Sequence, residues 1–544
     1  MRSPPRCFRW LACVCIAVAL PAAAQQEVEV PSFAELEAAG AVIGEIRVET
    51  HNIFDLDDPD ESSVFYRAAN ALHIKTRPEL IRRSLLFKSG ERLSVRLIEE
   101  TERLIRQTST VYDVSIRPLR YGEGVVDLEV MTRDTWTLEP SVHVSREGGA
   151  NSGAFSLKET NLAGTGTTLG FERSSTVDRT GRSVQLGHDH LFDGWTSAAF
   201  EHASFSDGSS DSYSLQHPFY ALDTRWAAGA SAGKFDRLDS LYDGGNVVAK
   251  YRHRGEVGEL YGGVSRGLID GWAHRFSAGL NYQSDTYLSE PGQPPPPSLP
   301  PDTTRAGPFV RYEVIEDDYL PVVNRDRIRR PEYFAMGLHS QVQLGRAVGV
   351  FGSSDQPWQL SGSLSKGFRL PAGQQLLADG TYSGQYGSST GDVQTASAHM
   401  RYYVPQTGTY LLYFAASTDL VRSPNIADEL TLGGDSGLRG YPLRYQRGTH
   451  RQLFTVEERY YTDWYPLRLF RVGFAAFYDT GRAWGSQLGN ANNAWLNDIG
   501  FGVRFLSTRA SFGNVLHIDI AFPLHRTDPT IQARQLLVTT AKTF

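Results

Sequence analysis

From Thr135 to the C-terminus, roughly 400 residues, the chain is a succession of segments of about 8 to 12 residues in which apolar and polar side chains alternate. Turn-rich stretches such as Glu147-Gly148-Gly149, Ser206-Asp207-Gly208 and Ser388-Ser389-Thr390-Gly391 separate them. A period of two is that of a strand with unlike faces. In 514–522, Leu516, Ile518, Ile520 and Phe522 point one way and Val515, His517 and Asp519 the other. In 471–479, Val472, Phe474, Ala476 and Tyr478 form the apolar face, leaving Gly473, Ala475, Phe477 and Asp479 opposite. A soluble sandwich also alternates, but a run of this length would split into several sandwiches with visible linkers. The one strong break is 291–301, PGQPPPPSLPP, an extended loop because proline cannot donate to a ladder. A single antiparallel barrel is therefore predicted over 135–544.

Such a barrel crosses a membrane without a helix. Beyond the first two dozen residues no run of about 18 apolar residues exists, so no spanning helix is predicted. A barrel strand needs only about 9 to 11 residues, apolar toward lipid and polar toward the lumen, which keeps average hydropathy low. The chain has a mean hydropathy of -0.33, with 52 Gly, 25 Tyr, 27 Phe, 9 Trp and only 4 Met. Its start reads as an export leader: Arg2, Arg6 and Arg9 precede the apolar run 10–20, then Pro21 and Ala22-Ala23-Ala24 form a small-residue cleavage signal before Gln25. All three cysteines, Cys7, Cys13 and Cys15, fall within that leader, so the mature chain has neither disulfides nor thiolate metal sites. A net charge of -7 offers no footprint for nucleic acid.

The region 42–134 has a different grammar. Residues 45–50 alternate, with Ile46 and Val48 on one face. Thr76 and Glu79 have the spacing of a capping box ahead of Leu80, Ile81 and Leu85. Ser94 precedes a second helix, with Leu97, Ile98, Thr101, Leu104 and Ile105 as its stripe and Leu93 placed to staple onto Ile98. Segments 111–119 and 125–132 read as a hairpin around Gly122-Glu123-Gly124, with Val126, Leu128 and Val130 facing inward. The order is strand, helix, helix, strand, strand: one small sheet covered by two helices. Residues 25–41 read as a linker in which 32–39 forms a helical turn or two.

The segment Gly433-Gly434-Asp435-Ser436-Gly437-Leu438-Arg439-Gly440-Tyr441-Pro442 carries two competing signals. Gly434-Asp435-Ser436-Gly437 is the tetrad around a serine-protease nucleophile, but a protease also needs a histidine base and an orienting carboxylate. The nearest echo, Ala398-His399-Met400, lies within a strand pattern, so the tetrad reads as a turn. His188 and His190 share a strand face with no third ligand, and 55–61, DLDDPDE, reads as a solvated acidic loop. No phosphate-binding glycine loop or nucleophile elbow is present. No enzyme activity, metal or cofactor is expected.

The second signal has company. Leu438-Arg439-Gly440-Tyr441, the strand motif Phe477-Tyr478-Asp479-Thr480-Gly481, the acidic strand Thr455-Val456-Glu457-Glu458-Arg459-Tyr460 and the turn ETNLAGTG ending at Gly166 occur in the order found in the outer-membrane assembly factor superfamily. That superfamily, also called the bacterial surface antigen family, includes the BamA/TamA assembly factors and the two-partner-secretion transporters. The chain resembles it over nearly its whole mature length, and 42–134 resembles a single POTRA (polypeptide-transport-associated) domain. The resemblance implies that the signature loop folds back into the barrel lumen, where Arg439 meets carboxylates; alternation places Asp479 on the non-lipid face, with Glu457 its companion.

It further implies an outer-membrane protein of a Gram-negative bacterium, with the POTRA domain in the periplasm. That domain's sheet edge, at Val126, Leu128 and Val130, would receive an unfolded client polypeptide that the barrel inserts or translocates. Lipid and periplasmic partners are the other expected contacts, with the protein a monomer or part of a complex. The alternative within the family is a two-partner-secretion transporter for one exported protein, which usually carries two POTRA domains and a plug helix. Marked segment by segment, alternation yields about fifteen strands before the signature loop and five after it; the resemblance implies sixteen in all. Sixteen is the expectation tested below.

Overall fold

The computed structural model describes residues 30–541 except 109, 193, 489–492, 509–514 and 527. The expected leader 1–24 and the C-terminal residues 542–544 lie outside the described residues.

The N-terminal domain begins earlier than expected. Helix α1 (Phe33–Ala38) is opened by a reciprocal capping box, Ser32 N–H donating to Glu35 and Glu35 N–H to the Ser32 hydroxyl. Its Leu36, and Ala41 after it, are fully buried in the domain core, so the stretch expected to be linker is part of the fold. Strands β1 (Val42–His51), β2 (Val111–Gly122) and β3 (Val125–Asp134) form the sheet. The turn joining β2 to β3 puts Glu123 and Gly124 at φ 52° and 79°, the paired left-handed conformation that matches hairpin twist.

The strand order is β1-β3-β2, with β1 parallel to β3. This overturns the expected client edge. Val126, Leu128 and Val130 lie on the central strand with no exposed surface, facing the core as alternation indicates but offering no edge. Period two reports which face is buried; it carries no information on which strand sits in the middle.

The helices differ in detail from the spacing argument. Helix α2 (Val64–Leu72) is unanticipated. Helix α3 (Pro78–Arg83) starts on Pro78 with no Thr76 cap, because Thr76 N–H donates to Asp134 at the end of β3 (2.6 Å). Helix α4 (Val95–Gln107) buries Ile98, Thr101 and Ile105 against the sheet, and Ser94 makes no side-chain cap.

The rest of the chain is a closed antiparallel barrel of 20 strands, fifteen before the signature loop and five after it. Sixteen is therefore incorrect. The longest wall strand, Asn246–Ile269, runs 24 residues, well beyond bilayer thickness. Outward-facing Phe155, Leu260, Val310 and Phe501 are each more than half exposed, an apolar band suited to lipid. No helix among the described residues is long and apolar enough to cross a membrane. The barrel closes where the last strand, Gln535–Ala541, meets the first, Leu138–Glu147, registered through Val538 opposite Arg146.

The N-terminal domain touches one rim of the barrel. Arg77 N–H donates to Gly164 O, Asn161 donates to Thr76, and Arg330 donates to Tyr112 O, each from a turn on the same side. The lumen is filled from both ends. Loop 423–449 enters from the opposite side, and the connection 317–338, carrying a hairpin of Tyr319–Val323 and Pro331–Ala335, enters from the domain side. The polyproline stretch lies in a connection on the opposite side, where Leu299 packs against the Ile426 cluster.

Candidate functional site: the lumen charge cluster

Loop 423–449 owes its shape to its glycines and a serine. Ser436 is a turn residue: its hydroxyl accepts Gly433 N–H (2.8 Å), and Leu438 N–H donates to Gly433 O (3.1 Å). His399 pairs with Asp379 on a distant strand, so no base is brought to Ser436. The reversal seats two anchors, Leu438 and Tyr441, with no exposed surface among Leu432, Ala483, Leu496 and Ile531. Tyr441 hydroxyl donates to Asn497 O (3.1 Å) and accepts Asn497 N–H (3.2 Å). Between the anchors, Gly440 N–H donates to Asp498 (2.9 Å), at an approach so close that a Cβ there would lie 2.6 Å from Asp498 Cβ.

With both flanks fixed, Arg439 points into the wall. Its Nε and Nη2 form a fork onto Asp479 (2.7 and 2.9 Å), and Nη1 donates to Glu457 (2.8 Å). The guanidinium lies 3.3 Å from the centroid of the Phe477 ring. Bidentate geometry and removal from water make these charge-assisted bonds stronger than surface pairs. The three inward residues of the strand motif thus each have a physical task. Phe477 supplies a π face, Asp479 the fork, and Gly481 room for Leu438, whose Cδ1 would lie 2.7 Å from a Cβ there. Thr455 hydroxyl donates to Asp479 (2.7 Å), orienting the carboxylate from the neighbouring strand.

The cluster is larger than the sequence reading proposed. Arg459 donates to Glu457 (3.0 Å), and Arg504, fully buried, pairs with Asp519, which also lies 3.5 Å from Arg439. Arg459 then bonds the carbonyl of Arg325 (3.0 Å) and lies 3.7 Å from Asp326, both in the connection from the domain side. Tyr403 and Tyr461 hydroxyls donate to Asp326 and to Arg325 O respectively. A chain of charge, Arg439 to Glu457 to Arg459 to Asp326, therefore runs along one wall strand, His450–Tyr461, and joins the two fillings of the lumen. Alternation applied to every charge on the last five strands would have found Arg459, Asp498, Arg504 and Asp519, all on the inward face. Asp326 carries no such signal, since it lies outside any wall strand.

The other candidates stay apart. His190 bonds Gly194 O beside Trp195. In the acidic loop Glu61 accepts Asp55 N–H (2.8 Å), a local turn contact. Among the described residues no group of three His, Cys, Asp or Glu side chains is arranged to hold a metal.

No protein-family model matches the chain, and no curated protein matches it. Among solved structures it is similar to CdiB from Escherichia coli (TM-score 0.48, 13% identity, covering 93% of this chain and 77% of that one). It is also similar to CdiB from Acinetobacter baumannii (TM-score 0.44, 12% identity, 92% and 74%). A third similar structure is that of BamA from Haemophilus ducreyi lacking POTRA domains 1-3 (TM-score 0.41, 12% identity, 92% and 84%).

Proposed function

We propose that this protein is an outer-membrane barrel that assists the insertion or translocation of client polypeptides, with no catalytic chemistry of its own. The observation that carries the reading is the Arg439 fork. The four-residue signature, the Phe477-to-Gly481 motif and Glu457 converge on one buried ion cluster that holds an inward-folded loop. A passive diffusion pore gains nothing from blocking its own lumen in this way. Residues 1–24 direct export, the N-terminal domain is a POTRA-type module in the periplasm, and it presents clients to the barrel.

Client reception moves to β1. On β2, Ile116 N–H and Val114 O are engaged by Glu102 and Arg106 of α4, and Pro118 lacks a donor. On β1, the segment 90–93 covers the start of the outer edge, at Ala41 to Ile43, and among the described residues no strand pairs with the outer edge at Arg47–Glu49, which leaves it for an added strand. A second reading, secretion of one exported protein, is favoured by the domain-side filling 317–338: a conduit needs a plug, whereas a device that works at the wall does not. A photo-crosslinker at Arg47 separates the two. Capture of many barrel precursors supports insertion and capture of one large exported protein supports secretion, while lipid alone would defeat both.

A further inference from the structure

Helix α2 is built inside out. Its inner face is tied to the domain by polar and aromatic contacts: Asn70 side chain donates to Phe54 O (2.8 Å) and accepts Phe54 N–H (3.1 Å), and the Tyr66 ring lies 4.5 Å from Phe54. At 100° per residue the opposite face gathers Val64, Phe65, Ala68, Ala71 and Leu72. Phe65 is 85% exposed, Leu72 77%, Val64 75%, and Ile74 just beyond the helix 60%. A helix of a water-soluble domain turns its apolar face to the core; this one displays it.

Its position identifies what meets that face. Tyr66 hydroxyl donates to Leu467 O (3.0 Å), and Asp60 pairs with Arg468, both in the turn joining His450–Tyr461 to Phe470–Trp484. In that turn Trp464 is 58% exposed and Leu467 73%, and the next strand carries outward-facing Phe470 and Phe474. The apolar surface therefore runs from the barrel's outer wall through the turn toward the helix. After α2 the chain reaches a second turn, where Arg77 N–H bonds Gly164 O (3.1 Å). The two turns flank the sector that contains the closing seam.

We propose that α2 inserts its apolar face into the bilayer leaflet on the domain side of the barrel, beneath the seam sector, with acyl chains as its occupant. The proposal rests on the barrel residing in a membrane. At nine residues, about 13 Å of helix, α2 would bind vesicles weakly by itself. Tethered to a barrel already in the bilayer, its insertion is an intramolecular event and needs little intrinsic affinity.

The test uses the full chain with Cys7, Cys13 and Cys15 replaced by Ser, so that one added cysteine carries a unique nitroxide. Labels at Phe65→Cys, Leu72→Cys, Asp57→Cys and, on the outer wall, Phe474→Cys are read in phosphatidylethanolamine/phosphatidylglycerol vesicles by collision with oxygen and with a water-soluble nickel chelate. Insertion about 5–10 Å deep should raise the oxygen-to-nickel ratio at 65 and 72 roughly tenfold over that at 57. A ratio equal to that at 57 means a solvated face and overturns the proposal, as does shielding from both reagents, which means a protein contact. A water-like ratio at 474 would instead overturn the membrane reading itself.

Discussion

The lumen is filled twice, by unlike means. Loop 423–449 is pinned by charge: Arg439 is forked onto Asp479 and bonded to Glu457, between two fully buried anchors. The connection 317–338 is seated mainly by packing. Its Ile328, Phe334 and Met336 are buried against Tyr403, Leu411, Tyr413 and Tyr461 of the wall, and ion pairs lie around that packed centre, Asp326 with Arg401 and Arg459 and Asp318 with Arg369. The two modes fail differently. A buried ion cluster resists until one partner is lost, and then the stranded charges destabilise it strongly. A packed hairpin gives up roughly 1.5–3 kcal/mol per side chain withdrawn, a graded cost that a competing apolar segment can offset. The first filling is suited to a fixed lock and the second to a displaceable plug, with Arg459 between them.

Removing the lock should have the larger effect. Arg439→Ala leaves the buried Asp479 without its cationic partner and Glu457 with Arg459 alone, at a cost on the order of 4 kcal/mol to loop anchoring. Limited proteolysis of the folded barrel should then cut within 423–449, and the heat-shifted gel mobility should change; an unaltered digest and mobility would refute the lock. Arg439→Lys keeps the charge but loses the fork, and should lie between the two. Phe334→Ala should cost about 3 kcal/mol of plug seating. Its signature is different: higher conductance in planar bilayers with loop 423–449 still protected. If both substitutions expose the same loop, the fillings are one unit and the contrast falls.

The lock was legible in the sequence and the plug was not, for a physical reason. Period two assigns each wall residue a face, so Asp479 and Glu457 could be placed off the lipid face; that Arg439 folds in to meet carboxylates there came from the family resemblance, and the structure bonds it to these two. The same period, counted segment by segment, yields fifteen strands and five; the expectation of sixteen came from the motifs. Those motifs describe one loop and the strands beside it, and nothing local to them measures a circumference. Residues such as Ile328 and Phe334 look like wall residues, because the direction in which a connection folds is set by what it packs against. Sheet order in the N-terminal domain escaped for the same reason, since the parallel pairing of β1 with β3 is a tertiary choice. Helix α2 lacked a recognised cap, and its apolar stripe faces away from its own core.

Smaller changes sharpen the contrast. Gly440→Ala places a Cβ against Asp498 and Pro523 N, and overpacking of this kind costs about 2 kcal/mol. It should loosen the loop partially, with proteolysis intermediate between the wild type and Arg439→Ala and with conductance unchanged. An equal gain in conductance would show that the plug senses the lock through Arg459.

The last effect is one of pH, and it belongs to the plug alone. Glu332, in the connection rather than in a spanning strand, is pushed up to about 7 by burial and by the Asp326 carboxylate. The backbone N–H groups of Arg325, Asp326 and Arg327 donate to it, which favours the ionised form and only partly offsets that rise. The seated plug therefore prefers Glu332 protonated. Below its ordinary value of 4.5 the group holds its proton whether the plug is seated or withdrawn, and seating does not depend on pH. Between 4.5 and about 7 the withdrawn form releases the proton first, so seating weakens as pH rises; above that range it levels off. Conductance should climb across this window and flatten on either side of it. Glu332→Gln, which stays neutral, should abolish the slope while leaving the Arg439 loop as protected as before. A slope that survives the substitution would transfer the pH response to the ion cluster, and with it the claim that charge holds one filling and packing the other.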